Sequence, residues 1–185
     1  MPRRPTREEL LAAHGRPLRG VIAPGLRVLL CGINPSLYSA AVGHHFAGPS
    51  NRFWKVLHRA GITPRQLAPE EDAELLAVGL GVTNLVNFAT ARADELTEAL
   101  LVAGGKRLTR QVRRYRPRVL AIVGIGAYRT AFGRPAATMG RQPDHRLGDT
   151  TVWVLPNPSG LNANYQMPEL VRLYGEVVSG VPRGG

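Results

Sequence analysis

Four short apolar runs constrain this chain more than any other feature. They are Leu26-Arg27-Val28-Leu29-Leu30-Cys31-Gly32, Val82-Thr83-Asn84-Leu85-Val86, Arg118-Val119-Leu120-Ala121-Ile122-Val123 and Thr151-Val152-Trp153-Val154-Leu155, each stopping at or beside Gly, Asn or Pro. Runs of this length and composition are buried strands that end at turns. Helical patterns lie between them, at about 51–60, 69–78, 95–116 with Gly104-Gly105 as a break, 125–132 and 167–178. Strand and helix in alternation predict an α/β fold, a three-layer α/β/α sandwich around a short, mainly parallel sheet. The carboxyl ends of such strands emerge at one rim, where ligands bind, so the loops after residues 31, 86, 123 and 155 are expected to converge.

At 185 residues the chain has room for one core. The expected organisation is a basic N-terminal arm or helix over 1–20, a single domain over 21–178 and a flexible tail over 179–185. Lys and Arg total 24 against 13 Asp and Glu, a net charge of +11 that favours nucleic acid as partner. The lysines are only Lys55 and Lys106, an Arg bias that a GC-rich coding sequence also produces. No apolar stretch approaches the roughly 20 residues of a membrane span, so a cytoplasmic, DNA-associated monomer without membrane contact is expected. The lone Cys31 excludes an internal disulfide and reads as core. His44-His45 and Asp144-His145 lack metal-ligand spacing and read as solvated or turn histidines, so no metal is expected. Gly124-Ile125-Gly126 opens a helix after a strand, but Arg129 stands where a dinucleotide fingerprint has its third glycine, so no cofactor is expected. Arg107, Arg110 and Arg114 share one helical face and read as solvated.

Two Asn-Pro turns should face one another across the rim: Gly32-Ile33-Asn34-Pro35-Ser36 after the first strand and Asn157-Pro158-Ser159-Gly160-Leu161 after the last. Either alone is ordinary turn chemistry. With them stand Phe46-Ala47, twelve residues beyond Asn34, then Asn51-Arg52-Phe53-Trp54-Lys55, Gly81-Val82-Thr83 and Ala103-Gly104-Gly105. Over roughly residues 26–176 this set resembles the mismatch-specific uracil-DNA glycosylases, the branch of the uracil-DNA glycosylase superfamily that also contains thymine-DNA glycosylase. The chain departs from the pattern at Ser36, where the first motif usually ends in Gly, at Ala163, where a DNA-contacting Arg is common, and at Asn84, where some relatives carry Lys.

The resemblance implies a monofunctional DNA glycosylase that flips uracil, or thymine or a modified pyrimidine opposite guanine, out of duplex DNA and hydrolyses its glycosidic bond. It makes Asn34 the residue that orients the attacking water. Main-chain amides near Ile33 and Phe46 would meet the base oxygens, with Gly32, Pro35, Ser39 and Asn157 completing the pocket and Phe46 stacking on the base. Leu161 resembles the wedge that fills the vacated stack, flanked by Ser159, Gly160 and Asn162 on the opposite-strand side. A carboxamide cannot take a proton, so an acid beside it would help. Residues 21–68 and 151–167 contain none, and Asp144 and Asp149 precede the last strand. Elimination leaves Ala93-Asp94-Glu95 after the second strand, with Asp94 favoured as catalytic partner or as helix cap and Glu95 pointing outward. A module that binds flipped bases without cleaving them, and a nucleotide-binding regulator using Gly124-Ile125-Gly126, remain as alternatives.

Overall fold

The computed structural model describes residues 3–181; residues 1–2 of the expected arm and 182–185 of the expected tail lie outside the described residues. Strands β1 (Val28–Gly32), β2 (Leu80–Asn84), β3 (Val119–Val123), β4 (Gly140–Leu147) and β5 (Thr150–Leu155) form one sheet in the order β2-β1-β3-β5-β4. All neighbours pair in parallel except β4, which runs antiparallel to β5 at the edge. The helices are α1 (Arg7–Ala12), α2 (Leu37–Val42), α3 (Phe53–Arg59), α4 (Glu98–Tyr115), α5 (Ile125–Phe132) and α6 (Met167–Ser179). Among the described residues no helix is long and apolar enough to cross a membrane.

Alternation along each strand builds the layers, because successive side chains point to opposite faces. Val28 and Leu30 of β1 join Val82, Ala121 and Leu155 against Phe53, Val56 and Leu57 of α3 and Leu170, Tyr174 and Val177 of α6. Leu29 and Cys31 join Leu120, Ile122, Val152 and Val154 against Leu108 and Val112 of α4 and Tyr128 and Ala131 of α5. Both faces of the sheet are therefore covered, as continuous apolar strands require. Cys31 is fully buried and its thiol is pushed up to about 12 by desolvation, which makes it inert core.

The break expected at Gly104-Gly105 is absent, and α4 runs unbroken through both glycines. They serve close packing instead: a Cβ on Gly104 would stand 2.5 Å from the Leu85 carbonyl oxygen, and one on Gly105 2.7 Å from that of Ala131. The stretch 69–78 is a 3-10 segment kinked at Glu71 rather than a regular helix. Two elements carry no clear signal in the sequence. Strand β4 has the polar sequence GRQPDHRL with Pro143 inside it, tolerated because an edge strand leaves one row of amides unpaired. Helix α2 begins where Ser36, N-cap by its hydroxyl, accepts from the Ser39 amide at 3.1 Å, and it ends at Gly43 with φ 82°.

Candidate active site

The carboxyl ends of β1, β2, β3 and β5 open onto a cleft of about 540 Å³. Its walls include Gly32, Ile33, Asn34, Pro35, Ser36, Ser39 and Phe46 from the first motif region, Asn157, Ser159 and Leu161 from the second, and Asp94 from the loop after β2. The two Asn-Pro turns thus share one cavity although β3 separates β1 from β5 in the sheet. Gly160 and Asn162, expected beside Ser159 and Leu161, are not among the residues that line it.

Each cleft asparagine is tethered at one end of its carboxamide, which fixes what the other end offers. Asn34 Nδ2 donates to Thr90 Oγ1 at 2.7 Å and to the Phe88 carbonyl at 3.3 Å. Thr90 passes its own proton to the Arg92 carbonyl at 2.7 Å, so the Asn34 amide must be the donor and its oxygen is left to accept. Asn157 is held the other way: its Oδ1 accepts the Ser159 amide at 3.0 Å, leaving the NH2 group to donate. Asn84, 5% exposed on β2, places Nδ2 3.4 Å from His45 Nδ1. Its Oδ1 lies over Gly32, where a Cβ would come within 2.6 Å of it.

Phe46 has φ 51°, a left-handed conformation costing a side-chain-bearing residue about 1–2 kcal/mol. Stacking on Phe53, with ring centroids 3.9 Å apart and an interplanar angle of 15°, offsets part of that. The result is a half-buried ring in the cleft wall. Ser39 ties this segment to the first motif: its hydroxyl accepts from the Ala47 amide and from Ser36 Oγ, both at 3.1 Å. The departure at Ser36 is thereby explained locally, since its hydroxyl caps α2 and braces Ser39.

The Asn51-Arg52-Phe53-Trp54 motif adds Asn51 to the cleft lining. Asn51 Oδ1 accepts the Phe53 amide at 2.9 Å and starts α3. Arg52 then grips the second motif, donating from Nε to the Pro158 carbonyl at 3.2 Å, from one terminal nitrogen to Tyr165 at 2.8 Å, and from the other to Ser159 at 2.8 Å and Asn162 at 3.0 Å. Asn162 closes the loop by donating to the Asn157 carbonyl at 2.9 Å, and Gly160 is required by the approach of Ser50, whose carbonyl oxygen would stand 2.6 Å from an added Cβ. This bracing holds Leu161 out with 92% of its surface exposed, beside the cleft mouth.

Asp94 borders the cleft as expected of it but caps nothing. Its carboxylate pairs with the Arg92 guanidinium at 2.7–3.1 Å, while Glu95, expected to point outward, takes the Arg92 amide at 2.7 Å. Other sequence expectations are corrected by burial. His45 and His145 are neither solvated nor simple turn residues. His45 is 1% exposed, and His145 is buried with Nδ1 2.7 Å from the Tyr128 hydroxyl and its pKa lowered to about 4, first by desolvation and then by Arg134. Arg107 is not a solvated side chain: its guanidinium holds the Asn84 and Leu85 carbonyls at the end of β2. Gly124, φ 123°, packs its bare Cα against Ile33, so the first glycine of the nucleotide-like turn serves internal packing.

Asn84, His45 and Thr90 all line the cleft, and the sequence assigns a pocket role to none of them. Asn84 stands out in the sequence only as the residue found where some relatives carry Lys. Its rim position, at the carboxyl end of a strand, is the one signal that points to the cleft.

A profile of the uracil DNA glycosylase superfamily matches residues 19–176 of this chain. Among solved structures, the chain is similar to the solution NMR structure of a protein from Methanosarcina acetivorans assigned provisionally as a uracil DNA glycosylase. The TM-score is 0.57 at 16% identity, over 88% of this chain and 98% of that one.

Proposed function

The chain belongs to the uracil DNA glycosylase superfamily, and from that premise we propose that it is a monofunctional glycosylase of the mismatch-specific branch, acting on uracil or a related pyrimidine in double-stranded DNA. One observation carries this reading: a carboxamide tethered so that its oxygen accepts, on Asn34, shares a cleft with an exposed leucine, Leu161, on a braced loop.

The roles are those the family resemblance implies, and the geometry of the cleft supports them. Leu161 enters the stack as the nucleotide leaves it, and Phe46 receives the base on its ring. Asn84, Asn157 and the amides near Ile33 and Phe46 meet the base edge. The bond from the sugar's C1′ to the base nitrogen breaks with its electron pair going to the base, which leaves as an anion. Water held by Asn34 Oδ1 forms the new bond to C1′ after the sugar has become cationic, and the proton it then loses passes to solvent or to the departing base anion. An amide suffices for this because orientation and charge stabilisation, not proton abstraction, supply the rate. Asp94 adds negative charge at the cleft, moderated by its pairing with Arg92. Lys55 is exposed on α3 and is not among the residues lining the cleft, which favours release of an intact abasic site over a Schiff-base step.

The test is incubation with duplex DNA containing one uracil, followed by hot alkali, which cuts abasic sites. Strand breaks that disappear with Asn34→Ala are expected. Binding without breaks would turn the reading to a non-cleaving base-binding module, and neither binding nor breaks would end both.

A further inference from the structure

Uracil and cytosine have nearly one shape but opposite hydrogen-bonding edges: uracil N3 carries a hydrogen, cytosine N3 a lone pair. A pocket that excises one and spares the other must present an acceptor there and keep it from turning into a donor. An asparagine alone cannot do so, since its amide oxygen and nitrogen exchange places by a half-turn about χ2.

Behind Asn84 the fold contains the element that prevents this. His45 Nε2 lies 2.8 Å from the Arg19 carbonyl oxygen. A carbonyl only accepts, so Nε2 bears the hydrogen, and in a neutral imidazole Nδ1 is then a bare acceptor. Burial drives the imidazole to the neutral form, pushing its pKa below the ordinary value against the opposing pull of the Arg19 carbonyl and Asp72 and with the help of His44. Nδ1 stands 3.4 Å from the Asn84 amide and faces it as an acceptor, so Asn84 must direct its NH2 group backward and its oxygen toward Gly32 and the edge of the Phe46 ring.

The main chain that carries the ring is held on both sides. The Asp72 carboxylate accepts the His45 amide at 3.3 Å, and the Trp54 indole donates to the His45 carbonyl at 3.2 Å. On the far side Arg107 fixes the Asn84 main chain. We infer that His45 is a specificity-positioning residue: through its Arg19-fixed tautomer it locks the Asn84 carboxamide with the oxygen facing the flipped base, so that the pocket accepts a base bearing N3–H and rejects cytosine. The inference rests on the glycosylase reading of this cleft.

Its test uses the full-length protein and duplexes carrying 2′-fluoro-2′-deoxyuridine or 2′-fluoro-2′-deoxycytidine, which are bound but resist cleavage because fluorine disfavours the sugar cation. The wild type is expected to bind the uridine duplex more tightly. In His45→Gln the new amide reaches the Arg19 carbonyl but leaves the Nδ1 position vacant, and the uridine-to-cytidine affinity ratio should fall about tenfold, the scale of one mispaired buried polar group. Asn84→Ala should lower the ratio as well, and adding His45→Gln to it should change nothing further. An unchanged ratio in His45→Gln, or an equal drop in the Asn84→Ala background, overturns the role of His45 while leaving the glycosylase reading intact. A wild type with no preference overturns both. Nitrogen-15 NMR of the wild-type imidazole at neutral pH decides the matter independently of how the variants fold: a protonated Nε2 with bare Nδ1 is expected, and an Nδ1–H tautomer refutes the lock.

Discussion

Replacing Leu161 by Ala separates folding from function at this site. The side chain is 92% exposed, so its truncation leaves no cavity and should change stability by no more than about 0.5 kcal/mol. In the complex with DNA the same side chain would sit in the vacated stack. There the three lost carbons are worth about 2.4 kcal/mol at roughly 0.8 kcal/mol each, or about 60-fold in the population of the flipped state. Single-turnover excision of uracil should therefore slow by about that factor on duplex DNA, while excision from a single strand, which has no stack to fill, stays near the wild-type rate. The melting temperature of the free protein supplies the control. Equal losses on duplex and single strand would refute the wedge, and so would a drop of several degrees in melting temperature, since Leu161 would then be holding the loop rather than the DNA.

Phe46→Ala should cost about 1–3 kcal/mol of affinity for a duplex bearing a flipped, uncleavable uridine, the usual contribution of a stacking aromatic; unaltered affinity would reduce the ring to a partner of Phe53. Asp94→Asn should lower turnover without moving the melting temperature, because the Arg92 pair it breaks is exposed on both sides and contributes about 0–1 kcal/mol; full activity would remove Asp94 from the chemistry. Stability should decline as pH falls from 6.5 toward 4. His145 stays neutral in the fold down to about 4 and takes up its proton near 6.5 once unfolded, so the unfolded chain binds more protons in that window. Urea midpoints at pH 7 and pH 5 measure this, and an equal or higher midpoint at pH 5 would contradict it.

Strands β1 and β3 are legible in the sequence because they are buried on both faces and read as apolar runs; β5 leaves Thr151 and Trp153 half-buried, and β2, which closes on the polar Thr83 and Asn84, lies at Leu80–Asn84, two residues before the run at 82–86. Strand β4 is not legible, for the complementary reason: one edge and one face meet solvent, so its composition carries no apolar signal and tolerates Pro143. Helix α2 is too short for periodicity to register, and its only mark is Ser36, which looks like a departure from a turn motif rather than an N-cap. The glycines mislead in the same way. Gly104-Gly105 suggests weakness in a helix by propensity alone, yet its use is to let α4 approach the carbonyls of Leu85 and Ala131, a contact between segments that no local window contains.

The site divides along the same line. Asn34 and Asn157, in loops after strands, can be named from the sequence by rim position, and Phe46, between α2 and α3, by its motif spacing from Asn34. What gives them direction cannot. The oxygen of Asn34 is free to accept only because Thr90, 56 residues away, binds the nitrogen and spends its own proton on the Arg92 carbonyl. Leu161 stays exposed only because Arg52, 107 residues before Ser159, grips the carbonyls around it. The charge of that arginine invites assignment to a phosphate, but four carbonyl oxygens already use its donors, so its contribution to DNA binding would run through the shape of the loop. A site built on carboxamides depends on such tethers more than one built on carboxylates. An ionised carboxylate accepts from either oxygen, whereas an amide turned by half a revolution offers the opposite polarity at the same point in space. On the glycosylase reading, the groups that fix Asn34, Asn84 and Asn157 therefore belong to the design of the site as much as the asparagines that line the cleft.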